Sequence, residues 1–359
     1  MSEELSKEGS RHLEQDGVAA VEDNNASKRP PFKQRFKRHC ARFWWLHFLI
    51  FAAIVLVIVL PIVYVAYPHK AQGVINNSQL VATSMAILQP APNAFNLELS
   101  DMFLSNSSLK SHLDPFLGAF SLTESSPPFV KFPVPAIEAS NGSQAHIAER
   151  VQIANMDEWD KYTKAVLLSE EFDIYLKGKG GLKYGKLPKT TVTYDKQVTV
   201  KGLNGLKGFA LTDFALITEA LKNGTNAHGT VFIPNPTTST YEMGNLTMNM
   251  YVKNTYVGNS TLKDVVIRPG NNTFNMYATT NQTAVVGLLF TTFKCGIFPI
   301  DIVASGSTYN GQRLPYYEKA LQANNLTVQL NVIKVLEEAG LAQYLGINTT
   351  SKENCTGKL

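Results

Sequence analysis

Apolar and polar residues alternate over many short stretches of this 359-residue chain. Phe95, Leu97 and Leu99 alternate with polar neighbours, as do Phe172, Ile174 and Leu176. The same holds for Leu246, Met248, Met250 and Val252, for Phe274, Met276 and Ala278, and for Leu326, Val328, Leu330 and Val332. Period-two alternation gives a strand with one buried and one wet face. Many such strands separated by Gly, Pro and Asn turns predict a mainly β protein of antiparallel sandwiches. Helical patterns are few: residues 157–168, with Asp157 as the cap, and residues 334–345.

Short matches also recur in order. Ile174–Gly178 aligns with Ile302–Gly306 at an offset of 128, Leu187-Pro188 with Leu314-Pro315 at 127, and Val198–Val200 with Leu326–Val328 at 128. This predicts two copies of one sandwich, over residues 70–218 and 219–346, with a tail at 347–359.

The front of the chain has another pattern. Residues 1–42 are polar and lack any apolar period, so they read as a disordered tail. Residues 43–67 then carry no charge except a potential one on His47. As a helix this run is about 37 Å long, enough to cross a hydrocarbon core of roughly 30 Å. Trp44, Trp45, Tyr64 and Tyr67 mark its ends, where amphipathic rings prefer the headgroup layer. Pro61 is expected to kink it. A cleaved signal has a shorter apolar region and an A-x-A-like site, which is missing here.

Charge sets the expected orientation. Lys28, Arg29, Lys33, Arg35, Lys37, Arg38 and Arg42 precede the span, while only Lys70 closely follows it. The positive-inside rule then puts the N-terminus in the cytosol and residues 70–346 in a lumen. Sequons agree: N-x-S/T occurs at Asn76, Asn106, Asn141, Asn223, Asn245, Asn259, Asn271, Asn281, Asn325, Asn348 and Asn354, all glycosylation candidates on the luminal side. Cys295 and Cys355 fall on that side and could form a disulfide, whereas Cys40 precedes the span and could be palmitoylated or stay an inert thiol.

The formal net charge of +4 is split evenly between the tail and the far longer remainder. A nearly neutral large region argues against a nucleic-acid partner. Catalytic motifs are missing. Residues 180–187 satisfy G-x-x-x-x-G-K but lack the Ser/Thr that would hold magnesium, and Pro188 follows, so a hairpin loop is the simpler account. His69, His112, His146 and His228 stand alone, and Glu170-Glu171 lead into an alternating strand. The sequence predicts no enzyme, no cofactor and no metal site.

Residues 229–278 carry a more specific signal. They read G-T-V-F-I-P-N-P-T-T-S-T-Y-E-M-G-N-L-T-M-N-M-Y-V, then Y-V-G-N-S-T-L, then I-R-P-G-N-N-T-F. This resembles a fungal family of single-pass endomembrane proteins of unknown function, itself similar to the late-embryogenesis-abundant (LEA) type 2 domain. Asn235-Pro236 would be the turn after the first strand, with Gly244, Pro269 and Gly270 as further fold-defining positions. In the upstream copy, P-A-P-N at residues 90–93 stands where the motif has Asn-Pro. The resemblance implies tandem LEA type 2-like sandwiches that handle membrane lipid or another hydrophobic ligand in an endomembrane lumen, the fungal vacuole first among them. Met243, Met248, Met250 and Met276 are candidates to line a groove, or else core filling. The alternative expectation is a membrane-anchored scaffold that binds protein partners in vacuolar regulation.

Overall fold

The computed structural model describes residues 32–104, 111–139, 142–217, 219 and 221–347. Among the sequon and cysteine candidates, Asn106, Asn141, Asn348, Asn354 and Cys355 lie outside these residues. The chain separates into two units, residues 1–60 and 61–359.

The first unit contains most of α1 (Phe32–Pro61). After Pro61 the helix loosens into a π-helical turn, Ile62–Ala66, and resumes as α2 (Tyr67–Asn76). Proline removes a backbone donor, and a widened turn absorbs the misfit. The stretch Phe43–Asn76 is 34 residues long and is the one helix among the described residues long and apolar enough to cross a membrane. Up to Ala66 its apolar side chains are largely bare, with Trp44 at 68% and Val57 at 72% exposure, whereas Ala71 and Ile75 further on are buried. Water would penalise that surface heavily and lipid would not.

Seven strands follow: β1 (Gln79–Leu88), β2 (Ala94–Leu104), β3 (Ser111–Leu113), β4 (Phe116–Ser121), β5 (Val130–Val134), β6 (Ile137–Ala139) and β7 (Ser143–Gln152). Helix α3 (Met156–Leu168) leads to β8 (Glu171–Lys183) and β9 (Thr190–Lys201). Its cap is Asn155, whose side-chain oxygen accepts from the Glu158 amide at 3.1 Å, and not Asp157, which sits in the first turn. Then come β10 (Ala210–Leu216), β11 (Ala227–Asn235), β12 (Ser239–Val252), β13 (Thr255–Ile267), β14 (Gly270–Thr280) and α4 (Gln282–Thr291). The chain continues through β15 (Ile297–Tyr309), β16 (Gln312–Arg313), α5 (Pro315–Gln322), β17 (Leu326–Asn331) and α6 (Val332–Glu338). Helix α6 is shorter than the sequence pattern suggested, because Gly340 adopts φ +71° and ends it.

The fold is mainly β, in sandwich-like layers. Eleven strands join in one sheet, with the path β10-β11-β14-β13-β12-β1-β2-β7 and with β15, β16 and β17 attached beyond β12. The second sheet orders its strands β5-β4-β8-β3-β6, with β9 on β8. All pairings are antiparallel except one: β1 runs parallel to β12, with Met85, Ala86 and Ile87 opposite Ser239, Thr240 and Tyr241. That join makes strands from both halves of the chain parts of one sheet.

Gly244 explains how β12 serves three partners. One edge of β12 pairs β13 throughout, while the other pairs β1 as far as Tyr241 and β15 from Asn245 onward. Between the two, Gly244 bulges at φ +69°, and a Cβ there would meet the Thr308 carbonyl oxygen at 2.3 Å. Only glycine tolerates that backbone and that approach.

Two strand pairs share a register at the offset read from the sequence. Phe172 pairs Val200 and Ile174 pairs Val198; at an offset of 128, Ile300 pairs Val328 and Ile302 pairs Leu326. Between them Thr199 donates to Asp173 at 2.6 Å, and Thr327 donates to Asp301 at 2.6 Å. The same Asp–Thr clamp thus recurs in both halves. The halves also meet through helices: Lys319 of α5 pairs Asp160 of α3 at 2.5 Å, and Tyr316 packs edge-on to Trp159 at 5.8 Å. Trp159, Phe95, Phe129 and Tyr162 form the stacked aromatic centre below.

Candidate functional site

The motif residues build turns and carry no reactive chemistry. Asn235 is buried; its amide donates to the Ser239 carbonyl at 2.8 Å and its oxygen accepts from the Thr237 amide at 2.9 Å. It locks the arch from β11 to β12, with Pro236 exposed at the bend. Pro269 precedes Gly270 at φ +90°, and Asn272 clamps that turn by accepting from the Arg268 amide at 2.8 Å and donating to its carbonyl at 2.7 Å. Asn272 closes the quoted P-G-N-N run, so its signal was present in the sequence.

The described sequons mostly face outward. Asn76, Asn223, Asn245, Asn271, Asn281 and Asn325 are exposed and Asn259 is half-buried. Asn281 also caps α4, accepting from the Ala284 amide at 3.1 Å. Cys295 is disulfide-bonded. Among the described residues no group of three or more His, Cys, Asp or Glu is placed to hold a metal. The tyrosines with shifted pKa values are core residues: burial pushes Tyr241 up to about 12 and raises Tyr162 and Tyr317 further. They stay protonated and pack.

The four methionines are all buried, and of them only Met250 reaches an apolar cavity near the β10 edge. This cavity, of about 250 Å³, opens between the β10 edge, the ends of β12 and β15, and the two helices α4 and α6. Its walls are Leu211, Phe214 and Leu216 on β10, Phe298 and Ile300 on β15, and Val332, Val335 and Leu336 on α6. Val285 and Val286 of α4 close one side, and Leu341, Tyr344 and Leu345 close another. Polar side-chain atoms come only from Thr280, Gln282 and Tyr344. Thr280 already donates to Asn226 at 2.9 Å, whereas Gln282 is exposed at the mouth and Tyr344 is 89% exposed.

Local chemistry keeps this space open. Helix α4 is apolar on nearly every face, yet Leu289 is its one fully buried residue, and Phe290 is 49% exposed. A helix apolar all round is normally buried, so α4 lacks a partner on its outer side. Its end is pinned by Phe293, whose ring packs tilted against Phe298 at 5.1 Å and lies 4.9 Å below the Lys253 ammonium. Helix α6 is held close to β15 because Gly296, at φ +73°, leaves room for Ile333, and its carbonyl accepts from the Val332 amide at 2.7 Å. The cavity lies at the end of β12 away from α2: Met250 is nine residues beyond Tyr241, about 30 Å along the strand.

A second, more polar groove of about 730 Å³ runs between the end of α2, β9 and the β11–β12 arch. Its buried Lys196 donates to the carbonyls of Asn76 at 2.8 Å and Ser78 at 2.6 Å, and burial lowers its pKa. This lysine caps the carbonyl end of α2, so its role is structural.

Comparison with known proteins adds little chemistry. Residues 127–250 match the model of a family described as protein of unknown function (DUF3712), about a third of the chain. The match starts before β5 and ends within β12, so it bridges the two halves. No curated protein matches the sequence. Among solved structures, a red sea bream transglutaminase aligns at 11% identity and TM-score 0.24 over 71% of this chain and 31% of its own. A bacterial adhesin from Mobiluncus mulieris aligns at 7% identity and TM-score 0.19 over 58% of this chain and 82% of its own. The periplasmic chaperone SfaE aligns at 12% identity and TM-score 0.16 over 70% and 98%. This chain thus spans less than a third of the transglutaminase, and at such TM-scores none of the three bears on function.

Proposed function

We propose that the chain is a single-pass membrane protein, N-terminus in the cytosol, whose luminal β-sandwich region binds lipid or another hydrophobic ligand. The observation that carries this reading is the apolar cavity beside the under-packed helix α4. Protein interiors normally leave no void of this size. The space exceeds the roughly 150 Å³ that accommodates benzene and falls below the roughly 300 Å³ at which drug-sized pockets begin. One acyl chain or one ring system suits it better than a whole phospholipid. Among the described residues no charged side chain lines the walls, so any polar head stays at the mouth with Gln282 and Tyr344.

The fungal vacuolar membrane and the LEA type 2-like resemblance belong to this reading as its biological setting. The deciding experiment is mass spectrometry of lipid extracted from a secreted, deglycosylated fragment covering residues 68–359. A stoichiometric apolar molecule, lost on filling the cavity, supports ligand binding. No lipid above that on a control protein refutes it and leaves the non-catalytic scaffold for protein partners as the better account.

A further inference from the structure

We propose that the tip of the β8–β9 hairpin, residues 183–189, together with Lys70 on the neighbouring α2, seats on the bilayer surface and engages anionic headgroups. The inference rests on the membrane-spanning reading of residues 43–67 and is independent of the cavity.

Depth is the first argument. Counting from Phe43, a hydrocarbon core of about 30 Å is filled by roughly twenty helical residues, which ends it near Ile62. Tyr64 and Tyr67 then lie in the headgroup layer. The hairpin reaches the same level: the Tyr184 amide donates to the Tyr67 hydroxyl at 3.2 Å. Leu182, Tyr184 and Leu187 share with Ile62, Ala66 and Val74 an open apolar notch of about 280 Å³. In water that notch would be a wetted apolar surface; at this depth lipid fills it.

Rigidity is the second. The Gln72 side chain imitates a strand residue, donating to the Thr193 carbonyl and accepting from the Thr193 amide, both at 2.8 Å. Lys196 binds the last carbonyls of α2 as described above. Helix α2 is thereby fixed along the free edge of β9, and the hairpin cannot swing away from the helix it accompanies.

Charge is the third. Lys70, Lys183 and Lys186 are exposed and have no carboxylate partner among the described residues, while Lys189 pairs with Asp114. Three ammonium groups with no carboxylate partner among the described residues, beside a tyrosine-marked helix end, suit phosphate-bearing headgroups; where the facing leaflet carries anionic lipid, each such lysine is worth about fivefold in a docking equilibrium.

The test uses the full chain, with Cys40→Ser, in nanodiscs of phosphatidylcholine alone or mixed with phosphatidylserine. A fluorophore is placed at Pro188→Cys or, as reference, at Thr255→Cys at the start of β13, and headgroup-spin-labelled lipid is the quencher. We expect strong quenching at 188, none at 255, and amide exchange at residues 183–189 that slows as phosphatidylserine increases. A combined Lys70→Glu, Lys183→Glu, Lys186→Glu variant should lose the phosphatidylserine dependence. Equal quenching at 188 and 255 overturns the seating, and identical lipid dependence in the variant overturns the role of the lysines. Integration is scored separately by resistance to carbonate extraction, so a chain that washes off refutes the span and the proposal with it.

Discussion

Filling the cavity should raise stability and lower affinity together. Val335 is buried on α6 and faces the void. Val335→Phe adds four carbons, worth up to about 3 kcal/mol at roughly 0.8 kcal/mol per buried methylene. Imperfect fit returns about 1–3 kcal/mol of that. A net gain of about 1 kcal/mol corresponds to a rise in Tm of roughly 2–4 °C for a domain of this size. The binding side follows from the same void. At about 24 cal/mol per Å³, 250 Å³ of emptiness costs about 6 kcal/mol. A ligand that fills it recovers at most that amount, a Kd in the tens of micromolar. Losing about a third of the space removes roughly 2 kcal/mol, or about thirtyfold in Kd. Titration with a single-chain fluorescent fatty acid, alongside thermal unfolding, reads both quantities. A variant that melts earlier and binds unchanged would show that the space is ordinary core and that ligand, if any, sits elsewhere.

Three further outcomes are expected. Glu318 is buried and accepts from both Arg313 Nε (2.9 Å) and the Ser307 amide (3.0 Å); the Arg313 guanidinium holds its pKa below the ordinary value. A carboxylate with a depressed folded pKa contributes stability above its unfolded value of 4.5 and loses it as pH falls through the folded value, so Glu318→Gln should cost about 1–3 kcal/mol at neutral pH and flatten the acid limb of a urea-midpoint series. Gly244→Ala places a methyl against the Thr308 carbonyl on a left-handed backbone and should destabilise by about 3 kcal/mol or more, whereas Gly311→Ala, at φ +77° but with nothing within 4 Å, carries only the backbone cost of about 1–2 kcal/mol in the same denaturation assay. Gln72→Ala removes both hydrogen bonds to Thr193, and hydrogen exchange at the Thr193 amide should rise while the β8–β9 register persists.

Much of this architecture was legible because strands advertise a buried face. The alternating stretches named from the sequence fall in strands, except that Val332, the last of its set, opens α6, and the offset of 128 reappears as a shared register with a shared Asp–Thr clamp. Helices were harder. Leu314-Pro315 was used as a repeat marker, yet Pro315 also opens α5, a position proline favours. Gly340 was a visible stop signal that the longer 334–345 pattern overran. Helix α4 went unread because Ala284 to Phe290 is continuously apolar apart from Gly287, and a run without period does not distinguish a buried strand from a helix. The cavity was illegible in principle. Its lining comes from β10, β12, β15, α4 and α6, and a void is set by how those elements splay, which no local pattern encodes.

The parallel join of β1 to β12 has a genetic consequence. Duplicated halves that fold separately can later be lost, shuffled or multiplied one at a time. Here β1, β2 and β7 continue the sheet of the downstream half, so deleting either copy would strip a long alternating strand of its neighbour. A bare edge of that kind recruits other chains. Truncation to either half should therefore yield an aggregating fragment, because the two halves are stitched together through those three residue pairs.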